Sequence, residues 1–301
     1  MNLINEIIRL KKEKNAVILA HYYVRPEIQE IADYTGDSFY LSKVAVNLHE
    51  QTIIFCGVRF MGESAKILNP EKTVLMPDPH ADCAMAHMAD IQTIKRMRET
   101  YEDLAVVCYI NSTAELKEHS DVCVTSSNAV KIVRNLPNKN IFFIPDKNLA
   151  AFTAAQVPEK NFILNHGYCP IHDRMKKEEV LEAKALHPNA KVLAHPECSA
   201  DLLSLADYIG STAGIIDYAR TDSCSEYIIC TEVGVLYELQ KQNPDKSFYF
   251  TKTPPVCSDM KLITLEKIYD VLQNTVNEVH AEEEARQNAE KPLNRMLELA
   301  R

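Results

Sequence analysis

Apolar residues in this 301-residue chain come as short continuous runs separated by longer stretches with helical spacing. Leu3, Ile4, Ile7, Ile8 and Leu10 recur at three- and four-residue intervals, so residues 3–14 are predicted to form a helix with one apolar face. Residues 16–20, Ala-Val-Ile-Leu-Ala, read as a strand. A polar stretch from His21 to Pro26 follows, helical spacing resumes over 27–32, and a short apolar element ends at Gly36. Asp37 and Ser38, both good N-cap types, then open a helix carrying Leu41, Val44 and Leu48. Strands over 52–56 and 73–76 flank a helical run over 63–68, and this unit closes at Cys83.

The same unit is written three times. Residues 106–111 and 192–197 align beneath 18–23, with Tyr109 lying 88 residues after His21 and His195 lying 86 after Tyr109. Asp33, Asp121 and Asp207 stand in register, each before a Ser or Thr helix start, and Ser38, Ser126 and Thr212 each fall 17 residues after the first position. Third strands repeat at 53–55, 141–143 and 227–229, and fourth strands at 74–76, 162–164 and 248–250. Cys83, Cys169 and Cys257 follow His21, Tyr109 and His195 by 62, 60 and 62 residues, one cysteine closing each unit.

Short strands alternating with helical runs imply parallel strands joined by right-handed crossovers. The expected fold is α/β: three homologous three-layer α/β/α domains, each with a parallel four-stranded sheet, around a pseudo-threefold axis. The repeats span residues 1–89 with the N-terminal helix, 90–175, and 176–301 with C-terminal helices. Those helices are marked by Leu262, Leu265, Ile268, Val271 and Leu272, then by Leu293, Met296, Leu297 and Leu299; the acidic run Glu282-Glu283-Glu284 reads as a solvated face.

Composition narrows the class without naming a chemistry. A hydrophobic fraction of 46% with 25% charged residues is ordinary for a globular chain. No apolar run approaches the roughly 20 residues needed to span a bilayer, and the start lacks a basic region followed by an apolar stretch, so a cytoplasmic protein with no membrane partner is expected. The formal charge of -9 argues against nucleic-acid binding, though a site's local field can still favour small anions. Nine cysteines, mostly single and several inside apolar runs, fit a reducing compartment with free or metal-bound thiols.

Polar residues just after strand one, and at the start of the following helix, lie at strand carboxyl ends, where open α/β sheets place ligands. If the repeats surround an axis, Cys83, Cys169 and Cys257 converge there, and three thiolates leave any metal an open position for water or substrate. Zinc, with His172 or His166 as fourth ligand, and a [4Fe-4S] cluster are both consistent with such a set. Neither Cys83 nor Cys257 has a histidine three residues on, so His172 is expected as a neighbour of the centre. His21, Tyr23, Tyr109, Asn111, His195 and Glu197 would supply acid/base and hydrogen-bonding groups. Ser38, Ser126 and Thr212 are expected to cap helices or to bind anions at helix N-termini. Cys56, Cys108, Cys123, Cys198, Cys224 and Cys230 lack threefold partners and read as small packing residues, and Met85, His87 and Met88 as helix packing in place of a soft-metal site.

Several of these segments together carry a family likeness: His21-Tyr22-Tyr23, Gly36-Asp37-Ser38, Phe60-Met61-Gly62-Glu63, Tyr109-Ile110-Asn111-Ser112, Thr125-Ser126-Ser127-Asn128-Ala129, Gly167-Tyr168-Cys169-Pro170, His195-Pro196-Glu197-Cys198 and Gly210-Ser211-Thr212. In order and over nearly the whole chain, they resemble the quinolinate synthases. The resemblance implies three α/β domains around a [4Fe-4S] cluster held by Cys83, Cys169 and Cys257. It also implies condensation of iminoaspartate with dihydroxyacetone phosphate to quinolinate, the precursor of NAD, with a free iron acting as Lewis acid. By the same carry-over, His21, Ser38, Tyr109, Ile110, Asn111, Ser126, His195, Pro196, Glu197 and Thr212 would hold substrate, and Tyr23, Tyr109, His195 and Glu197 would assist catalysis. The expected partners are these small molecules, with the unstable iminoaspartate supplied by an aspartate-oxidising enzyme. Unlike some members, this chain has no Cys-x-x-Cys-x-x-Cys at the third cysteine, where Ser258, Asp259 and Met260 follow Cys257. A zinc-dependent lyase or aldolase-like enzyme, and a non-catalytic cluster-bearing redox or sensor protein, are the alternatives.

Overall fold

Each continuous apolar run becomes the central strand of a parallel sheet, where both faces are covered and no polar alternation is needed. A computed structural model describes residues 3–301. In the first repeat β1 (Ala16–His21) is buried along its whole length and lies between β2 (Tyr34–Gly36) and β3 (Thr52–Cys56), with β4 (Thr73–Leu75) outermost. The second repeat places β5 (Leu104–Tyr109) between β6 (Val122–Val124) and β7 (Asn140–Ile144), then β8 (Asn161–Leu164). The third places β9 (Lys191–Ala194) between β10 (Tyr208–Ile209) and β11 (Glu226–Cys230), then β12 (Ser247–Tyr249). All pairings within the three sheets are parallel.

The repeat extends to hydrogen-bond register. Leu19 pairs with Tyr34, Val107 with Val122 and Leu193 with Tyr208, which are equivalent positions in the three units. The matching aspartates explain why. Asp33, Asp121 and Asp207 each accept from the amide of Ile18, Val106 or Val192 through Oδ2 at 2.8, 2.7 and 2.8 Å. Each also donates its own amide to the carbonyl of that same residue. These carboxylates pin the entry to the edge strand; they serve register and lie outside the site.

Both faces of the third sheet are covered separately, as a three-layer unit requires. Val192, Ala194, Ile228 and Cys230 pack with Val180, Ala183 and Leu202 on one side, while Leu193, Tyr227 and Ile229 pack with Ile215, Ile216 and Leu239 on the other. The first two repeats share one continuous core, joined by Ile268, Val271 and Leu272 of the helix Leu265–Asn274 and by Leu293 and Met296 of the helix Glu283–Leu299. That last helix packs on the helices Ala114–Glu118 and Arg59–Leu68 and on β6, and so clamps repeats one and two together. Its acidic start is exposed: Glu282 to Glu284 face solvent, where negative charge also suits a helix N-terminus. Among the described residues, no helix is long and apolar enough to cross a membrane.

Candidate active site

The three loops that follow the fourth strands meet the three strand-one termini around one cavity of about 290 Å³. Its walls include Cys83, Cys169 and Cys257 together with His21, Tyr23, Ser38, Tyr109, Asn111, Ser126, His195, Glu197 and Thr212. Ile110 and Pro196 are buried beside the lining and do not contribute to it; the Ile110 amide is spent on the carbonyl of Val124. His166 is exposed and outside the cavity, which removes it as a fourth metal ligand.

Two histidines at equivalent positions are held the same way. His21 Nδ1 accepts from the amide of Tyr23 at 3.1 Å, and His195 Nδ1 accepts from the amide of Glu197 at 3.3 Å. Burial lowers both imidazoles to about 3, so each is neutral near pH 7. A neutral ring accepting at Nδ1 carries its proton on Nε2. His195 thus donates from Nε2 to Ser126 Oγ at 3.2 Å.

His172, expected as a mere neighbour, is the centre of the hydrogen-bonded chain. Its Nδ1 lies 2.7 Å from Glu197 Oε2 and 3.2 Å from Cys169 Sγ, and its Nε2 lies 2.9 Å from Thr231 Oγ1. The Tyr23 hydroxyl is 2.7 Å from both Thr231 Oγ1 and Thr212 Oγ1. Glu197 therefore reaches Tyr23 through His172 and Thr231. Burial works against the Glu197 charge, yet the imidazoles of His195 and His172 and the hydrogen bonds from His172 and Tyr109 outweigh it and pull the carboxyl down to about 2. Burial, then the Glu197 charge, pushes the Tyr23 and Tyr109 phenols well above their ordinary value, so both keep their protons.

The hydroxyls expected as caps are not the caps. Asp37 caps the helix Ser38–Ala45 by accepting from the amide of Tyr40, and Ser211 caps Thr212–Thr221 by accepting from Gly214. Ser38 and Thr212 are instead the first helical residues, and their side chains are left for the cavity. Asn111 Oδ1 is buried without a partner among the described residues, an acceptor oriented for something the chain itself does not supply.

The thiols form a matched set. Each sits within reach of the backbone amides two and three residues on: Met85 and Ala86 for Cys83, Ile171 and His172 for Cys169, Asp259 and Met260 for Cys257. Burial raises all three, Cys83 to about 12, and Cys83 is close enough to the other two for their charges to be felt. Desolvated thiols that would repel one another as thiolates are a donor set suited to a polynuclear cationic centre. The remaining cysteines lie elsewhere, Cys56, Cys108, Cys123, Cys198 and Cys230 fully buried and Cys224 partly so, and none lines the cavity.

Buried acid/base groups and three converging thiols at the strand carboxyl ends define an α/β enzyme whose site is shared by all three repeats. The family model described as quinolinate synthetase A protein matches residues 5–298. A quinolinate synthase of Clostridioides difficile is 53% identical over 298 residues, covering 99% of this chain and 97% of that protein. One from Fusobacterium nucleatum is 56% identical over 296 residues, covering 98% and 99%, and one from Caldicellulosiruptor bescii is 52% identical over 295 residues, covering 98% and 97%. This chain belongs to the quinolinate synthase family.

Proposed function

We propose that the enzyme condenses iminoaspartate with dihydroxyacetone phosphate to quinolinate, with loss of phosphate and water, as a step of NAD biosynthesis. Family membership supports the activity and argues against a non-catalytic sensor. The observation that carries the site assignment is the convergence of one cysteine per repeat on a single cavity. Cys83, Cys169 and Cys257 would hold a [4Fe-4S] cluster. When bound, it would supply an open iron as Lewis acid toward a substrate hydroxyl or carboxylate during dehydration.

The chain's own groups divide the remaining work. Neutral His21 offers its Nε2–H to a substrate carboxylate, the His195 Nε2–H orients the Ser126 hydroxyl toward the same task, the orphan Asn111 Oδ1 suits an imine N–H, and Ser38 and Thr212 stand at helix N-termini that favour anionic groups. Tyr23 has a relay to a base: its proton can pass by Thr231 to His172 Nε2, while ionised Glu197 holds Nδ1. Because iminoaspartate is unstable, an enzyme that oxidises aspartate would supply it.

A second reading has one observation in its favour. Ligand atoms of Cys169, His172 and Glu197 lie within 4.8 Å of one another, a grouping that could hold zinc. A metal there would break the 2.7 Å bond between His172 and Glu197, which disfavours it. Anaerobic reconstitution with iron and sulfide, followed by iron, sulfide and zinc analysis, a spectrum and a quinolinate assay, tests both. A brown protein with broad absorbance near ~400 nm and iron-dependent turnover is expected. A colourless, fully active zinc form would overturn the assignment.

A further inference from the structure

All three cysteines of the cavity have their backbone N–H held by a carboxylate. The Cys169 amide donates to Asp146 Oδ2 at 3.1 Å, the Cys257 amide to Glu232 Oε1 at 3.0 Å, and the Cys83 amide to Oδ1 of the adjacent Asp82 at 2.7 Å. Asp146 and Glu232 occupy equivalent repeat positions, two residues past the ends of β7 and β11, and both are fully buried. Their counterpart past β3 is Val58, whose side chain has no oxygen to offer, and Asp82, next to Cys83 on the same loop, takes the task. A feature kept at two of three equivalent positions, and supplied another way at the third, points to a requirement of the cysteine loops themselves.

Each buried carboxylate also has a second engagement that fixes it in place. Asp146 Oδ1 accepts from the Leu149 amide at 2.6 Å and caps the helix Lys147–Gln156. Glu232 Oε2 accepts from the Gly234 amide at 2.6 Å, and Lys261 Nζ lies 2.9 Å from Oε1. The carboxylates thereby tie the loop after the third strand to the loop after the fourth. Pinning a cysteine's amide sets the plane of the turn that follows, and that turn is the one whose second and third amides face the sulfur.

Resting on the cluster assignment above, we infer that Asp82, Asp146 and Glu232 are positioning residues for the metal centre: they orient the three cysteine turns so that each sulfur projects into the cavity before iron arrives. Groups one bond removed from metal ligands act this way by fixing ligand direction, and losing one costs about 10- to 100-fold in metal retention.

The test uses the full-length chain reconstituted anaerobically and then exposed to air while cluster absorbance, iron content and the electron paramagnetic resonance spectrum of the reduced form are followed. Asp146→Ser keeps a good N-cap for its helix, but one short hydroxyl cannot also reach the Cys169 amide. Asp82→Ala removes the tether at a side chain that is 36% exposed, where folding is not at stake. Both are expected to lose cluster at least about tenfold faster than wild type and to show an altered resonance spectrum, and Asp82→Asn, which retains an acceptor oxygen, is expected to restore wild-type behaviour. Decay at the wild-type rate with an unchanged spectrum in Asp82→Ala would overturn the inference, whether or not Asp146→Ser folds. A wild-type protein that takes up no four-iron centre would instead overturn the cluster assignment on which it rests.

Discussion

His172 Nε2 lies 2.9 Å from Thr231 Oγ1, a contact between the second repeat and the third. It couples the Glu197 carboxylate, 2.7 Å from His172 Nδ1, to the Tyr23 phenol, 2.7 Å from the same threonine hydroxyl. A hydroxyl can donate one hydrogen bond while accepting others, so Thr231 can take a proton from one side as it gives one to the other.

Thr231→Val keeps the shape of the side chain and removes that hydroxyl. Quinolinate formation is expected to fall about 100-fold or more, the usual worth of positioned acid/base catalysis, with iron content unchanged. Thr231→Ser is expected to recover most of the rate. A valine variant with wild-type kcat would show that Tyr23 exchanges its proton by another route.

Glu197→Gln tests the other end of the chain. The amide has the same size but no charge, so His172 Nδ1–H and the Tyr109 phenol lose their ionised acceptor. Loss of most activity is expected, with cluster absorbance kept. Full activity would remove Glu197 from the proton path.

The two neutral histidines make the cluster-free protein acid-sensitive in a defined window. His21 and His195 titrate near 3 when folded and near 6.5 when unfolded, so between those values the unfolded chain binds more protons. Their stabilisation is complete above 6.5 and is lost as pH falls, by up to about 1.4 kcal/mol per unit for each histidine. Glu197 adds to acid sensitivity only below the ordinary carboxylate value of 4.5, toward 2. Urea unfolding at pH 7 and pH 5 measures the histidine effect, and His21→Asn should lessen the difference by about half. An unchanged difference would mean that His21 is charged in the folded protein.

Gly234 is required by contact. A Cβ there would meet Tyr23 Cα at 2.7 Å and Tyr22 O and Glu232 Oε2 at 2.8 Å, two of them backbone atoms that cannot swing away. Gly234→Ala is expected to cost about 1–3 kcal/mol in chemical denaturation and to lower kcat by displacing Tyr23. Wild-type stability would show that this junction yields easily.

Much of this molecule was legible in the chain. Buried parallel strands are continuous apolar runs, and repetition multiplies a weak signal: the alignment of His21, Tyr109 and His195 marked the cavity wall, and the spacing of Cys83, Cys169 and Cys257 marked the thiols. Thr231 had no such signal, because its equivalents are Gly57 and Pro145. His172 has no repeat equivalents either, and while its place beside Cys169 is legible, its bonds to Glu197 and Thr231 carry no signal in the sequence. Asp146 and Glu232 could have been found by extending the register past the third strands, where Val58 breaks the match.

The sequence by itself determined the α/β class, the three sheets and which residues come to the strand ends, because strand burial and crossover handedness are set locally by apolar runs and chain chirality. Only the tertiary structure decided which of those residues touch. The Glu197–His172–Thr231–Tyr23 chain joins Tyr23 to Thr231 across 208 positions of sequence only because three sheets turn their carboxyl ends toward one cavity. Hydrogen-bond partners, tautomers and the charge of a buried group depend on distances of a few tenths of an ångström and on exclusion of water, and neither is written in the order of residues along a chain.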